Sequence, residues 1–135
     1  MDSPGESMSQ SFAADIGRIA RKFEMRMDAI ARDTFVDLFA SIVDSTPVDK
    51  GFLKNRWTPS IQTPNTSSAA GPDKSGSRAT ALVNATIKKP AIYYFTNNLH
   101  YAEDVEFYAT SQQAPNGMVR INMRRVKQIL RENAK

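Results

Sequence analysis

The hydrophobic positions fall into two regimes along the first 44 residues. From 10 to 44 no proline interrupts the chain, and Phe12, Ile16, Ile19, Phe23 and Ile30 recur at three- and four-residue spacing, the mark of one face of an α-helix. Beyond Arg32 the apolar set widens to Phe35, Val36, Leu38, Phe39, Ile42 and Val43. At about 100° per residue its centre lies roughly a quarter turn or more from the first stripe. The pattern predicts one helix over 10–44 whose second half is a core element. Its first half faces something else, or the helix bends near Asp33. A helix of that length spans about 50 Å, against a radius of gyration of about 14 Å for a globule of this size. One small domain cannot cover the whole stripe, so Phe12 to Phe23 is expected to pack on the C-terminal segment or on a neighbouring subunit.

Pro47 and the turn residues Asp49-Lys50-Gly51 end the helix. Phe52 to Trp57 reads as a short helical turn and Trp57 to Gln62 as a strand. Residues 63–78, TPNTSSAAGPDKSGSR, read as a polar loop that projects as an arm. Ala79 to Lys88 alternates loosely and is read as a strand with Leu82 and either Ala85 or Ile87 inward. The β-branched and aromatic run at 91–97, AIYYFTN, is a further strand. Tyr101 to Phe107 suits one or two helical turns, with Tyr101, Val105 and Tyr108 on one packing face. At the C-terminus a short extended piece is expected before a helix from Met123 to Asn133. The fold class is therefore α+β. A long N-terminal helix packs on a small antiparallel sheet of three to four strands, with a short helix and a C-terminal helix. Residues 1–9 read as a disordered leader and 10–135 as a single domain.

Composition bounds the chemistry. The chain of 135 residues contains no cysteine, which removes disulfides and thiolate metal sites. No apolar run approaches the length of a membrane helix, and the opening MDSPGESMSQ lacks the basic flank and apolar run of a secretory signal. The formal net charge is +4, and the excess gathers at Arg120, Arg124, Arg125, Lys127, Arg131 and Lys135. Such a tail can meet an acidic protein surface or nucleic acid. No aromatic side chain interleaves with these charges as a stacking platform would require, so a solvated helix face or a protein partner is favoured.

The stretch 96–118 concentrates the candidate chemistry. It holds the only histidine, His100, with Tyr101, Tyr108, Glu103, Asp104 and Glu106 nearby. A hydrolytic triad needs a serine in a strained glycine-flanked turn, and none is present. A metal site needs ligands at matching spacing, and neither a calcium loop nor a second histidine occurs. Nor is there a phosphate-binding glycine loop, since Gly71–Gly76 lies in a polar segment without a strand-to-helix frame. The residues read more simply as structure: acidic side chains at a helix start, and Glu106 paired with an arginine, Arg56 or one of the C-terminal set. No catalytic, cofactor or metal residues are assigned, and the chain reads as non-enzymatic.

Three segments taken in series carry a resemblance. Thr46, Pro47, Val48, Asp49, Gly51, Leu53 and Trp57 form the first. Asn97, Asn98, Tyr101, Ala102, Val105 and Glu106 form the second, and Ala114, Pro115, Gly117, Met118 and Val119 the third. In order and spacing the chain resembles the minor tail and tail-completion proteins of long-tailed bacteriophages, which include neck and head–tail joining components. Lys50, Asn55-Arg56 and Tyr108 depart from that pattern, the last standing where a glycine is usual. The resemblance implies a structural virion protein that completes the tail and joins it to the head connector, as a homohexameric ring made in the host cytoplasm. The implied partners are further copies of the chain, a tail terminator or tail tube protein, and a head-side connector or stopper protein, with DNA confined to the lumen and no membrane or cofactor. The contact residues expected on this reading are Phe12, Ile16, Ile19, Phe23, Pro72, Asp73, Lys74, Arg124, Arg125 and Arg131. The alternative is a nucleic-acid-binding module built on the basic C-terminal segment.

Overall fold

The computed structural model describes residues 4–65, 67, 69–108 and 110–135, with side chains from residue 13 onward. Helix α1, Pro4–Asp44, runs for 41 residues and continues unbroken through Asp33. The leader expected at 1–9 overlaps its first turns and otherwise lies outside the described residues. From Ala13 to Ala29 nearly every side chain of α1 is exposed, and burial begins at Ile30. The long helix is thus a half-buried rod whose C-terminal half belongs to the core.

The change of stripe across Arg32 has a structural cause, because the core half is covered on two faces. Phe39, Ile42 and Val43 face helix α3, Ser77–Thr86, and the sheet, while Ile30, Thr34 and Ser41 face the C-terminal helices. Residues 79–88 were expected to be a strand, and instead Ser77–Thr86 is helical. Its buried side chains are Ala79 and Val83, followed by Ile87. They fall four residues apart, a helical stripe that a loose alternation concealed. Leu82, expected to point inward, is half-buried at the flank. Arg32 Nε closes the end of this helix by donating to the Ile87 carbonyl oxygen at 3.1 Å.

The sheet accordingly has two strands among the described residues, β1 (Thr58–Ile61) and β2 (Tyr93–Thr96). They pair antiparallel, with Thr58 opposite Thr96 and Ile61 opposite Tyr93. A pair this small needs support from a packed neighbour. The aromatic side chains supply it: Trp57 stacks on Phe95 at 5.0 Å between ring centroids, and Phe95 stacks on Phe39 of α1 at 4.4 Å with planes 6° apart. Phe35 extends the series from Phe39 to Tyr93.

Two short helices lead into and out of the sheet, α2 (Phe52–Asn55) and α4 (Ala102–Phe107), both where helical turns were expected. The C-terminal segment forms α5 (Val119–Met123) and α6 (Val126–Asn133), so the extended piece expected before Met123 is helical. Its N-terminal amides are held by Glu106, a partner more than ten residues upstream that local periodicity cannot report. The segment runs antiparallel to α1. Asn122 Nδ2 donates to Ser45 Oγ at 3.0 Å and to the Ser41 carbonyl oxygen at 3.3 Å, Asn133 Nδ2 donates to Asp37 Oδ2 at 3.0 Å, and Arg26 donates to the Ala134 carbonyl oxygen at 2.9 Å.

The polar segment between β1 and α3 does not stand away from the body as an arm. Asn55 Nδ2 donates to the Gly71 carbonyl oxygen, Arg56 Nε donates to that of Ala70, and the Asp73 amide donates to that of Gly51. Thr96 Oγ1 holds the carbonyl oxygen of Asn65 at the other end. Ties of this kind satisfy backbone groups that an arm would leave to water. No helix among the described residues is long and apolar enough to cross a membrane.

Candidate functional site

The three segments that carry the resemblance meet in space at one junction. In the first, the buried Thr46 hydroxyl donates to the Ile42 carbonyl oxygen at 2.7 Å and accepts from Trp57 Nε1 at 2.8 Å. One threonine therefore terminates α1 and holds the indole that begins the aromatic stack. Gly51 adopts φ +92°, and a Cβ there would lie 2.6 Å from the carbonyl carbon of Asp73. The glycine is needed twice, for the left-handed backbone and for the close approach of the 73–74 peptide.

The second segment joins the first through Asn97, whose Nδ2 donates to the Leu53 carbonyl oxygen at 2.7 Å. The residue just before the third, Gln113, ties that end of the chain to the first. The Val48 amide donates to Gln113 Oε1 at 2.9 Å, and Gln113 Nε2 donates back to the Val48 carbonyl oxygen at 3.2 Å, so the side-chain amide pairs with the backbone as a strand would. Beside this clasp lies an open cavity of about 240 Å³, with Val48, Phe52, Leu53, Tyr101 and Val105 in its lining.

Glu106 binds the second segment to the third. Its carboxylate is buried and accepts from the amides of Met118, Val119 and Arg120 and from Arg120 Nε, the last at 3.3 Å. The arginine partner of Glu106 is thus Arg120, and not Arg56, which serves the Ala70 carbonyl oxygen. Arg120 also reaches the Glu106 carbonyl oxygen and lies over the Phe107 ring, its guanidinium carbon 5.2 Å from the centroid. Gly117, at φ +85°, leaves the space into which this carboxylate fits, and a Cβ there would overlap it. The motif residues Glu106, Gly117 and Met118 thus form one latch. Tyr108, the departure from the family pattern, has φ −115°, so its position needs no glycine. It is exposed and does not share the packing face of Val105.

The side chains singled out for chemistry do not converge. His100 is exposed at the turn before α4 and meets the ring of Tyr101, edge-on at 5.1 Å. Glu103 and Asp104 face outward while Glu106 is turned into the latch. Among the described residues no three His, Asp or Glu side chains gather as a metal site would require. Hydrogen bonds from Ser75 and then Ser77 hold the Asp73 carboxyl below its ordinary value of 3.8, which marks it as the turn residue leading into α3.

Of the expected contact residues, Ile16, Ile19 and Phe23 are exposed at 50%, 64% and 66% and do not pack on the C-terminal segment. The side chain of Phe12 lies outside the described residues. Pro72 and Lys74 are exposed in the tied-down loop, Arg124 and Arg125 are exposed at the turn between α5 and α6, and Arg131 is exposed on α6. Arg120, the first member of the basic set, is engaged by the latch. Sequence reasoning passed over Gln113 and Asn122, whose contacts join segments 65 and about 80 residues apart and leave no local signal. No protein-family model, no curated protein and no solved structure matches the chain.

Proposed function

We propose that this chain is a structural protein of a long-tailed phage particle, a ring subunit at the head–tail junction that completes the tail and joins it to the head-side connector. The observation that supports the reading is the junction. Residues that carry the resemblance pair with one another: Thr46 with Trp57, Asn97 with Leu53, and Glu106 with Met118 and Val119. Members that touch one another across gaps of 11 to 44 residues support reading the pattern as that of a fold, which chance likeness in composition would not produce. The work of such a protein is binding, through exposed surface that the isolated subunit leaves uncovered. The basic face at Arg124, Arg125 and Arg131 and the tied loop around Pro72 and Lys74 supply polar contact surface for a tube or connector partner.

The test is a phage lacking the protein. The expected result is filled heads and finished tails accumulating separately in the lysate, with purified protein restoring plaque formation when added to that lysate. Joined particles formed without the protein, or a virion reconstruction with no density for it at the neck, overturn the reading. Tight binding to duplex DNA that collapses with added salt would replace it by the nucleic-acid alternative.

A further inference from the structure

The exposed stripe on α1 and the covered stripe beyond it are one continuous face. At about 100° per residue, Ile16, Ile19 and Phe23 centre on the same azimuth as Ile30, Thr34 and Ser41. The C-terminal segment covers that second set, running antiparallel to α1 and stopping where Arg26 donates to the Ala134 carbonyl oxygen. Inside the molecule, then, this face already takes an antiparallel helix. N-terminal to Arg26 the same face is bare.

We propose that the bare face is covered by the same helix of a second copy, running antiparallel, with Ile16 of each chain against Ile19 of the other. Charge complementarity sets the direction. Ile16 and Phe23 stand at the first position of successive heptads and Ile19 at the fourth, which places Asp15 and Lys22 on one flank of the seam, a heptad apart, and Ala13 and Ala20 on the other. In the antiparallel register Asp15 of each chain faces Lys22 of the other, while the two alanines meet and let the backbones approach. A parallel pair would instead put Asp15 opposite Ala20 and Lys22 opposite Met27, leaving both charges without partners. In the free chain Asp15 pairs along its own helix with Arg18, which projects away from the stripe and leaves the seam side of Asp15 open. The dyad passes beside Gly17 and Arg18, so the start of each helix at Pro4 lies level with Ala31 of the other, at the edge of its C-terminal cover. A pair related by a dyad closes at two. This contact is therefore distinct from the repeating contact of a ring and does not depend on the assembly reading.

Sedimentation equilibrium of the full chain at about 100 µM in low salt tests it, since screening weakens the flanking charges. The expected mass is twice 15.0 kDa for the wild type and 15.0 kDa for Ile19→Asp. Ile19 is exposed, so the urea midpoint followed by Trp57 fluorescence, in protein diluted until the wild type is monomeric, is expected to stay unchanged, and Ile16→Lys serves as a second monomerising variant. Asp15→Lys and Lys22→Asp are each expected to weaken pairing by about five-fold, and the two together to restore it to within about two-fold. A monomeric wild type, or a dimer that survives both Ile19→Asp and Ile16→Lys, overturns the proposal. So does a double charge variant as weak as the single ones. A six-fold mass indifferent to Ile19→Asp would overturn the pairing and leave the ring reading standing.

Discussion

Replacing Glu106 by alanine removes the group on which the latch depends. The carboxylate accepts from the Met118 and Val119 amides, and the Met118 residue is almost wholly buried. A buried donor left without a partner costs about 1–3 kcal/mol. Met118 contributes this fully and the half-buried Val119 in part. The third amide, Arg120, sits at 3.4 Å and is a weak partner. The Arg120 side chain is 47% exposed, so its ion pair adds no more than about 1 kcal/mol after screening. The expected loss is therefore about 3 kcal/mol, out of the roughly 5–15 kcal/mol that holds a domain of this size together. That corresponds to a fall in melting temperature on the order of 10 °C. Trp57 is the only tryptophan and is buried, so urea unfolding followed by its fluorescence reads the change directly. Arg120→Ala is the control and should cost about 1 kcal/mol or less. A loss under about 0.5 kcal/mol in Glu106→Ala would refute the argument, because it would mean that the amides find other partners without penalty.

Three further outcomes follow from the same junction. Thr46→Val keeps the shape but strands the Trp57 indole N–H, and should lower stability by about 1–3 kcal/mol in the same urea assay. Gly51→Ala must adopt a left-handed backbone and displace the 73–74 peptide, so a loss of at least about 2 kcal/mol is expected by calorimetry. Asp73 has a folded-state pKa below its ordinary value of 3.8, so its contribution is present above that pH and is lost as pH falls through the folded value. Asp73→Asn should therefore be less stable than the wild type at neutral pH, with the gap closing below about pH 4, as a pair of urea midpoint curves against pH will show.

Most of the architecture was legible from local pattern. The long helix, its change of face near Arg32, the short helices at 52–55 and 102–107 and the strand at 93–96 follow from spacing and residue type. The stretch 77–86 was not. Ser-Arg-Ala-Thr-Ala-Leu-Val-Asn-Ala-Thr mixes helix and strand formers, and its period of four emerges only once Ala79, Val83 and Ile87 are seen facing Val43 and its neighbours. In the candidate site the motif spacing was visible, and so was the need of Glu106 for a basic partner. Which arginine, and which amides, depended on the chain folding back on itself.

The sequence by itself determined that α1 is too long for one small domain to cover its whole apolar stripe, because helical periodicity and rise per residue are local properties. It also offered no recognised catalytic or metal-ligand motif around His100. Only the tertiary structure decided that the loop at 63–78 is strapped down, that the strand expected at 79–88 is a helix, and that Glu106, Gly117 and Arg120 close one latch. The physical reason is common to all three. Each outcome is decided by where a buried polar group or apolar face finds its partner, and those partners lie many residues away along the chain.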